Sequence, residues 1–211
     1  MAHGPLIDTH QHPIPDHYKR ALATVGIMGS GENAWADWSV EQQLELMDEC
    51  GIAVAINSIA SPGCYFGDAA FAARLARECN EGAARQVADR PNRFGAFALL
   101  PLPDVAAAVR EADYSLGTLE LDGICLLSHA GPNYLGHPDE DELYAELDRR
   151  NALVFLHPQR APARDVPAYR YPAGMTELVF DTTRALHNLL WNGRSEEHTS
   201  ELQSPYVISY A

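Results

Sequence analysis

The chain has 211 residues, enough for about one domain. Apolar residues make up 46% and charged residues 21%, an ordinary balance for a globular protein, and no apolar run reaches the length of a transmembrane span. Lys and Arg total 15 against 29 Asp and Glu, a formal net charge of −14, which argues against nucleic-acid binding and against docking on an anionic membrane.

The first residues, Met1-Ala-His-Gly-Pro, lack a basic segment followed by an apolar one, so no secretion signal is expected. Leu6-Ile-Asp-Thr-His reads as the first strand. Ser39 stands three before Gln42, the spacing of a capping box, and opens a helix with Val40, Leu44 and Met47 on one face. Gly51 closes it. Ile52 to Ala60 reads as the second strand. Asp68 caps a long helix with Phe71, Ala72 and Leu75 inward, running towards Asp89. Phe94 to Leu100 is the third strand, and Asp104 caps a helix through about Ala112. Gly123 to Ser128 is the fourth strand. Pro138 starts a helix whose first turn carries Asp139, Glu140, Asp141 and Glu142 and whose last carries Arg149 and Arg150, an order that suits the helix dipole. That acidic run is expected to be a solvated face, not a cation site. Leu153 to Leu156 is the fifth strand, and a helix from about Met175 to Asn192 follows. Repeated β-then-α units predict a mostly parallel sheet, doubly wound or a barrel.

Cys50, Cys64, Cys79 and Cys125 form no CxxC pair and read as reduced, mostly buried thiols of a cytoplasmic protein. His3, His17 and His137 read as loop residues and His187 as outer surface. Gly29-Ser-Gly-Glu32 lacks the Lys-Ser/Thr ending of a phosphate loop and reads as a flexible connection.

Chemistry concentrates at two strand ends. In Asp8-Thr-His-Gln-His12, His10 and His12 are two apart, so on a strand they point to the same side and can converge on one ion. His157, in Val154-Phe-Leu-His-Pro, directly follows an apolar strand. In a parallel barrel, chemistry sits at that end of the strands, and the first and fifth strands can meet over its mouth. A surface pair of histidines is the competing reading for His10 and His12. His129, ending the fourth strand, is a candidate for the substrate pocket, or else caps a turn. Trp35 and Trp38 are candidates for an aromatic wall against a planar substrate, or else pack the loop.

Several blocks together resemble the metal-dependent amidohydrolase superfamily: Ile7-Asp-Thr-His-Gln-His, Arg93 to Asp104, Tyr134-Leu-Gly running into Leu143 to Arg150, Val154 to Pro158, and Phe180-Asp-Thr-Thr-Arg184. More narrowly they resemble its decarboxylase branch, which includes aminocarboxymuconate-semialdehyde, γ-resorcylate and 6-methylsalicylate decarboxylases. The resemblance implies a (β/α)8 TIM-like barrel holding one divalent ion, Zn or Mn, on His10, His12 and His157. It implies a small carboxylic acid as substrate, and allows a homodimer of the intact protein. It also implies a histidine after a sixth strand and an aspartate after an eighth, and neither block follows Gly193.

From Arg194 to Ala211 the text resembles a translated sequencing adapter. The expectation is therefore a partial amidohydrolase barrel domain over 1–193 and a non-native tail over 194–211. A barrel needs roughly 250 residues, whereas Met1 to Gly193 supplies about five βα units. As written, the chain is expected to be unstable and without turnover, its first and fifth strands each an open edge. For the intact protein the leading expectation is non-oxidative decarboxylation of a small aromatic or unsaturated acid. A hydrolase of an amide, lactone or ester on the same histidines is the alternative, and a non-catalytic fragment the third reading. The chain's one lysine, Lys19, lies far from any strand end, which favours a single-ion site over a lysine-bridged pair.

Overall fold

A computed structural model describes residues 4–30, 33–160 and 174–193. In chain order its elements are β1 (Leu6–Gln11), α1 (Asp16–Thr24), β2 (Gly29–Ser30), β3 (Asn33–Ala34), α2 (Val40–Glu49), β4 (Ile52–Asn57), α3 (Ala69–Asp89), β5 (Phe94–Leu99), α4 (Val105–Gly117), β6 (Gly123–Leu127), β7 (His129–Ala130), β8 (Asn133–Tyr134), a 3-10 turn (Pro138–Glu140), α5 (Asp141–Arg149), β9 (Val154–His157) and α6 (Gly174–Trp191).

Five strands form one parallel sheet in the order β1-β4-β5-β6-β9. Spatial order follows sequence order, and helices fill the crossovers. The sheet curls into a half-barrel, matching the expected (β/α) architecture. Central β5 is buried at every position, so it reads as a continuous apolar run without alternation. The edge strands are more open: Leu6 and Ile7 on β1, and Leu153 and Val154 at β9, are exposed.

Local chemistry explains most boundaries. Ser39 Oγ accepts from Gln42 N at 3.1 Å, Asp68 from Ala70 N and Phe71 N, and Asp104 from Ala107 N, so each caps its helix as the sequence suggests. Gly51 adopts φ +69° past the end of α2, a backbone form that glycine takes without a Cβ penalty. Helix α4 runs further than expected, to Gly117, because buried Ser115 and Glu111 continue its inner face.

The main core joins Ala96, Ala98, Ile124 and Leu126 of the sheet to Ala108 and Ala112 of α4, Leu143 and Leu147 of α5, and Ala185 of α6. A second cluster packs Tyr18 and Leu22 of α1 on Leu75 and Ala76 of α3. Met47, Ala55 and Phe94 seat α2 on the sheet. Buried Asn80 of α3 substitutes for a neighbouring strand. Its Oδ1 accepts from Leu99 N at 2.8 Å, and its Nδ2 donates to Leu99 O at 2.9 Å.

Three local expectations need correction. His17 lies on α1, not in a loop; this helix is short and buries only Tyr18 and Leu22, four apart, too few positions to stand out as a period. Gly29–Ser30 pairs antiparallel with Asn33–Ala34, so the Gly29-Ser30 start of that flexible connection is instead paired strand. Glu140 is not solvated: it is 3% exposed, and its Oε2 accepts from Gly136 N at 3.1 Å and Tyr144 Oη at 2.6 Å. Among the described residues, no helix is long and apolar enough to cross a membrane. Residues 194–211 lie outside the described residues.

Candidate metal centre

The three histidines singled out at the strand ends come together. His10 lies on β1, His12 just past it, and His157 ends β9. A ligand nitrogen from each lies within 4.8 Å of the others. Ring centroids are separated by 4.7 Å (His10–His12), 5.1 Å (His10–His157) and 4.6 Å (His12–His157), with planes nearly perpendicular.

Backbone contacts set these rings. Asp8 Oδ1 accepts from His10 N at 2.9 Å, and Asp8 Oδ2 from Gln11 Nε2 at 2.9 Å, which pins the bend at the end of β1. His12 Nδ1 donates to the Ser58 carbonyl at 3.1 Å, at the end of β4, with Ser58 Oγ 3.3 Å away. That bond puts the proton on Nδ1 and leaves His12 Nε2 with a bare lone pair. His157 Nε2 faces it at 2.9 Å. A proton on His157 Nε2 donates into that lone pair, and a cation can take the proton's place between the two nitrogens. His157 Nδ1 is buried without a hydrogen-bond partner. Beneath the triad, the Phe155 ring lies 5.2 Å from His10 and stacks on Phe97 at 5.6 Å, an apolar floor.

Burial is the main reason all three imidazoles resist protonation. It pushes His12 down to about 4 and, with His12 and His10 adding repulsion, His157 down to about 3; His10 is lowered as well. At neutral pH the cluster presents uncharged nitrogen donors. Three such donors with an open face suit a divalent ion that keeps positions free for a substrate. The donor set therefore fits a metal. Lys19 sits on α1 paired with Asp16 at 3.7 Å, so no lysine is at hand to bridge two ions.

His129, on β7, is buried and lines a small cavity at the strand ends with Cys64, Tyr65, Leu127 and Gln159. Its Nε2 donates to the Arg160 carbonyl at 3.0 Å, and Gln159 Nε2 lies 3.1 Å from its Nδ1. Trp35 is not brought to this cavity. It is half-buried against the cluster around Tyr18 and Leu22, its Nε1 without a partner. Trp38 lines a different cavity, beside α3.

Sequence reasoning from the residues missed the buried anchor of this face. Asp181 of α6 is fully buried and accepts from Ser128 Oγ and from Tyr134 Oη, the latter at 2.5 Å; His129 Nε2 lies 3.7 Å from it. The available signal was an aspartate on the apolar face of a helix, four before Ala185.

The amidohydrolase family matches residues 7–207. A 6-methylsalicylic acid decarboxylase of Aspergillus aculeatus is 36% identical over 198 residues, covering 91% of this chain and 59% of the relative. Thus the chain spans about three fifths of that relative's length. Among solved structures, an amidohydrolase II superposes with a TM-score of 0.80 at 28% identity, covering 89% of this chain and 62% of the other. A dihydroxybenzoic acid decarboxylase from Polaromonas sp. JS666, solved with bound manganese, shares the fold at a TM-score of 0.71 and 21% identity, covering 91% of this chain and 64% of the other. The parallel half-barrel, the histidines at its strand ends and a family match across nearly the whole length agree: the chain belongs to the amidohydrolase family.

Proposed function

We propose that the whole protein, of which this chain spans a part, is a metal-dependent, non-oxidative decarboxylase of a small aromatic or unsaturated carboxylic acid. The substrate is 6-methylsalicylate-like or aminocarboxymuconate-semialdehyde-like. His10, His12 and His157 hold one divalent ion, zinc or manganese. The observation that carries this is the convergence of three neutral imidazoles from opposite edges of the sheet. The relative named as a 6-methylsalicylic acid decarboxylase supports the choice of reaction.

When bound, the ion supplies Lewis-acid polarisation and a template for the substrate's carboxylate and a neighbouring oxygen. Ser58 keeps His12 in the tautomer that turns Nε2 inward. The Phe97–Phe155 stack closes the floor against water, which strengthens every electrostatic contact above it. His129 and Gln159 give the adjoining cavity a polar wall that can orient the acid. A general acid, a role the family resemblance gives to a histidine after a later strand, protonates the ring carbon that bears the carboxylate. The ring-to-carboxylate bond then breaks, its electron pair returns to the ring and restores aromaticity, and CO2 departs.

The test uses protein from a reading frame that covers the relatives' full length, loaded with Mn or Zn. It is incubated with 6-methylsalicylate and with 2,6-dihydroxybenzoate. CO2 release that disappears in His157→Ala is expected. No CO2 from either acid by the loaded protein overturns the reading. Turnover of a lactone or amide instead would select hydrolysis, the second reading that the family's own description keeps open.

A further inference from the structure

The end of β1 that carries His10 is irregular. Asp8 stands opposite Ala55 and Gln11 opposite Asn57, so three steps along β1 match two along β4. The extra residue makes a bulge, a device that re-aims a side chain at the expense of local pairing, and His10 lies inside it. As an edge of the described sheet, β1 is paired on one side only.

A file of amides braces this bulge from α2. Asp8 Oδ1 accepts from His10 N, and its Oδ2 accepts from Gln11 Nε2, each at 2.9 Å. Gln11 Oε1 accepts from Gln43 Nε2 at 2.5 Å, and the same Gln43 Nε2 donates to Asn57 Oδ1 at 2.6 Å. Gln43 Oε1 in turn accepts from Asn57 Nδ2 at 3.4 Å and from Gln86 Nε2 of α3 at 3.3 Å. The direction of the file is fixed at one end. A carboxylate only accepts, so Asp8 turns the Gln11 amide nitrogen towards itself and leaves the Gln11 oxygen for Gln43.

The two strand residues that Gln43 grips are the supports of two histidines of the triad. Gln11 stands between His10 and His12, and its carbonyl accepts from Ser58 N at 2.9 Å. Asn57 precedes Ser58, whose own carbonyl accepts from His12 Nδ1. Gln43 and Met47 are the buried residues of α2. Met47 packs with Ala55 and Phe94, and an apolar side chain at Gln43 would seat the helix as well without the cost of burying an amide. What the amide holds in place accounts for it.

We propose that Gln43 is a positioning residue for the metal centre: through Gln11 and Asn57 it locks the β1 bulge and the Ser58 support in the arrangement that turns His10 and His12 towards His157. The inference rests on the reading of the three histidines as a metal site.

The experiment is titration of cobalt(II) into the metal-free full chain, followed by visible absorption, which reads both affinity and ligand geometry. Saturable binding with d–d bands is expected of the wild type. Gln43→Met, close in length and apolar, should bind about tenfold more weakly and with shifted bands, at the lower end of what outer supports of metal ligands contribute. Gln11→Met cuts the same file nearer the ligands and should do the same, so the test stands even where Gln43→Met does not fold. The double variant should lose no more than the weaker-binding single one, because both cut one connection. Glu111→Ala, which removes a buried hydrogen-bond acceptor on α4, should lower Tm yet leave affinity and bands as in the wild type. Circular dichroism at the titration temperature reports folding of each variant. Wild-type binding with unchanged affinity and bands in either folded single variant overturns the positioning role alone. Additive losses in the double variant, or an equal loss in Glu111→Ala, overturn it too. No cobalt(II) binding by the wild type overturns the metal reading and this inference with it.

Discussion

His12 Nε2 and His157 Nε2 lie 2.9 Å apart although their strands are the two outer edges of the sheet. Only curling of the whole half-barrel brings them together, so the contact reports on the fold as much as on the site. A cation bound between them would hold both edges at once. Binding to the folded state alone stabilises by mass action, about 2.7 kcal/mol when free ion is a hundred times its dissociation constant. Addition of Mn or Zn to the metal-free chain should therefore raise Tm in a concentration-dependent way. His12→Ala and His157→Ala should each abolish that rise while leaving the metal-free Tm within a few degrees. An unchanged Tm with saturating metal would remove the triad from consideration as a metal centre.

The family-like blocks Tyr134-Leu-Gly and Phe180-Asp-Thr-Thr-Arg, far apart in the chain, pack on one another. Tyr134 Oη meets Asp181, the Leu135 carbonyl accepts from Asn188 Nδ2 at 2.8 Å, and Gly136 lies against the backbone of α6. At Gly136, φ is +90°, and a Cβ would stand 2.8 Å from Leu189 Cα. Any side chain there meets both strain and backbone. Gly136→Ala should destabilise by about 2–4 kcal/mol. Tyr134→Phe removes one donor to a buried carboxylate and should cost about 1.5–3 kcal/mol. Urea melts of both variants decide this; a Gly136→Ala variant as stable as wild type would mean that α6 is not seated as described.

Much of this was legible, for a physical reason. Caps, apolar runs and their spacing encode the helices and strands locally, so Ser39, Asp68 and Asp104 announced their capping roles, and the strand-end placement of His10, His12 and His157 announced that they would meet. What escaped depends on partners distant in sequence. Nothing local marks Asn80 as the residue that completes the hydrogen bonding of Leu99, or Glu140 as buried among Asp139, Asp141 and Glu142, which look the same. Helix α1 escaped because only two of its side chains reach the core.

Glu111 of α4 is the clearest of these distant hubs. It is 4% exposed, and it accepts from Arg77 Nε at 2.9 Å and Asn80 Nδ2 at 2.8 Å, while Arg77 lies over the Tyr114 ring at 3.6 Å. The same Asn80 amide holds Leu99, so one carboxylate ties α3, α4 and β5. Glu111→Ala removes the acceptor that Arg77 and Asn80 share, and because the Arg77 side chain can turn to solvent it should cost about 1–3 kcal/mol. Glu111→Gln, which keeps the acceptor, should cost less than half as much. Equal losses in the two variants would show that packing, not the hydrogen-bond network, is what matters there.

Glu140 gives the fold a pH signature. Burial raises its carboxyl above the usual range, and the donors Tyr144 Oη and Gly136 N offset this only in part. The folded state therefore holds the proton more tightly than the unfolded chain does. Between the unfolded value, about 4.3, and the raised folded one, folding takes up a proton, so this group's contribution to stability falls as pH rises through that window. Glu140→Gln cannot titrate and keeps an acceptor for Gly136 N. The difference in urea midpoint, wild type minus Glu140→Gln, should accordingly be most favourable to wild type near pH 4 and should decline towards pH 7. A difference that grows with pH would mean that the ionised carboxylate, not the protonated one, is the form this pocket prefers.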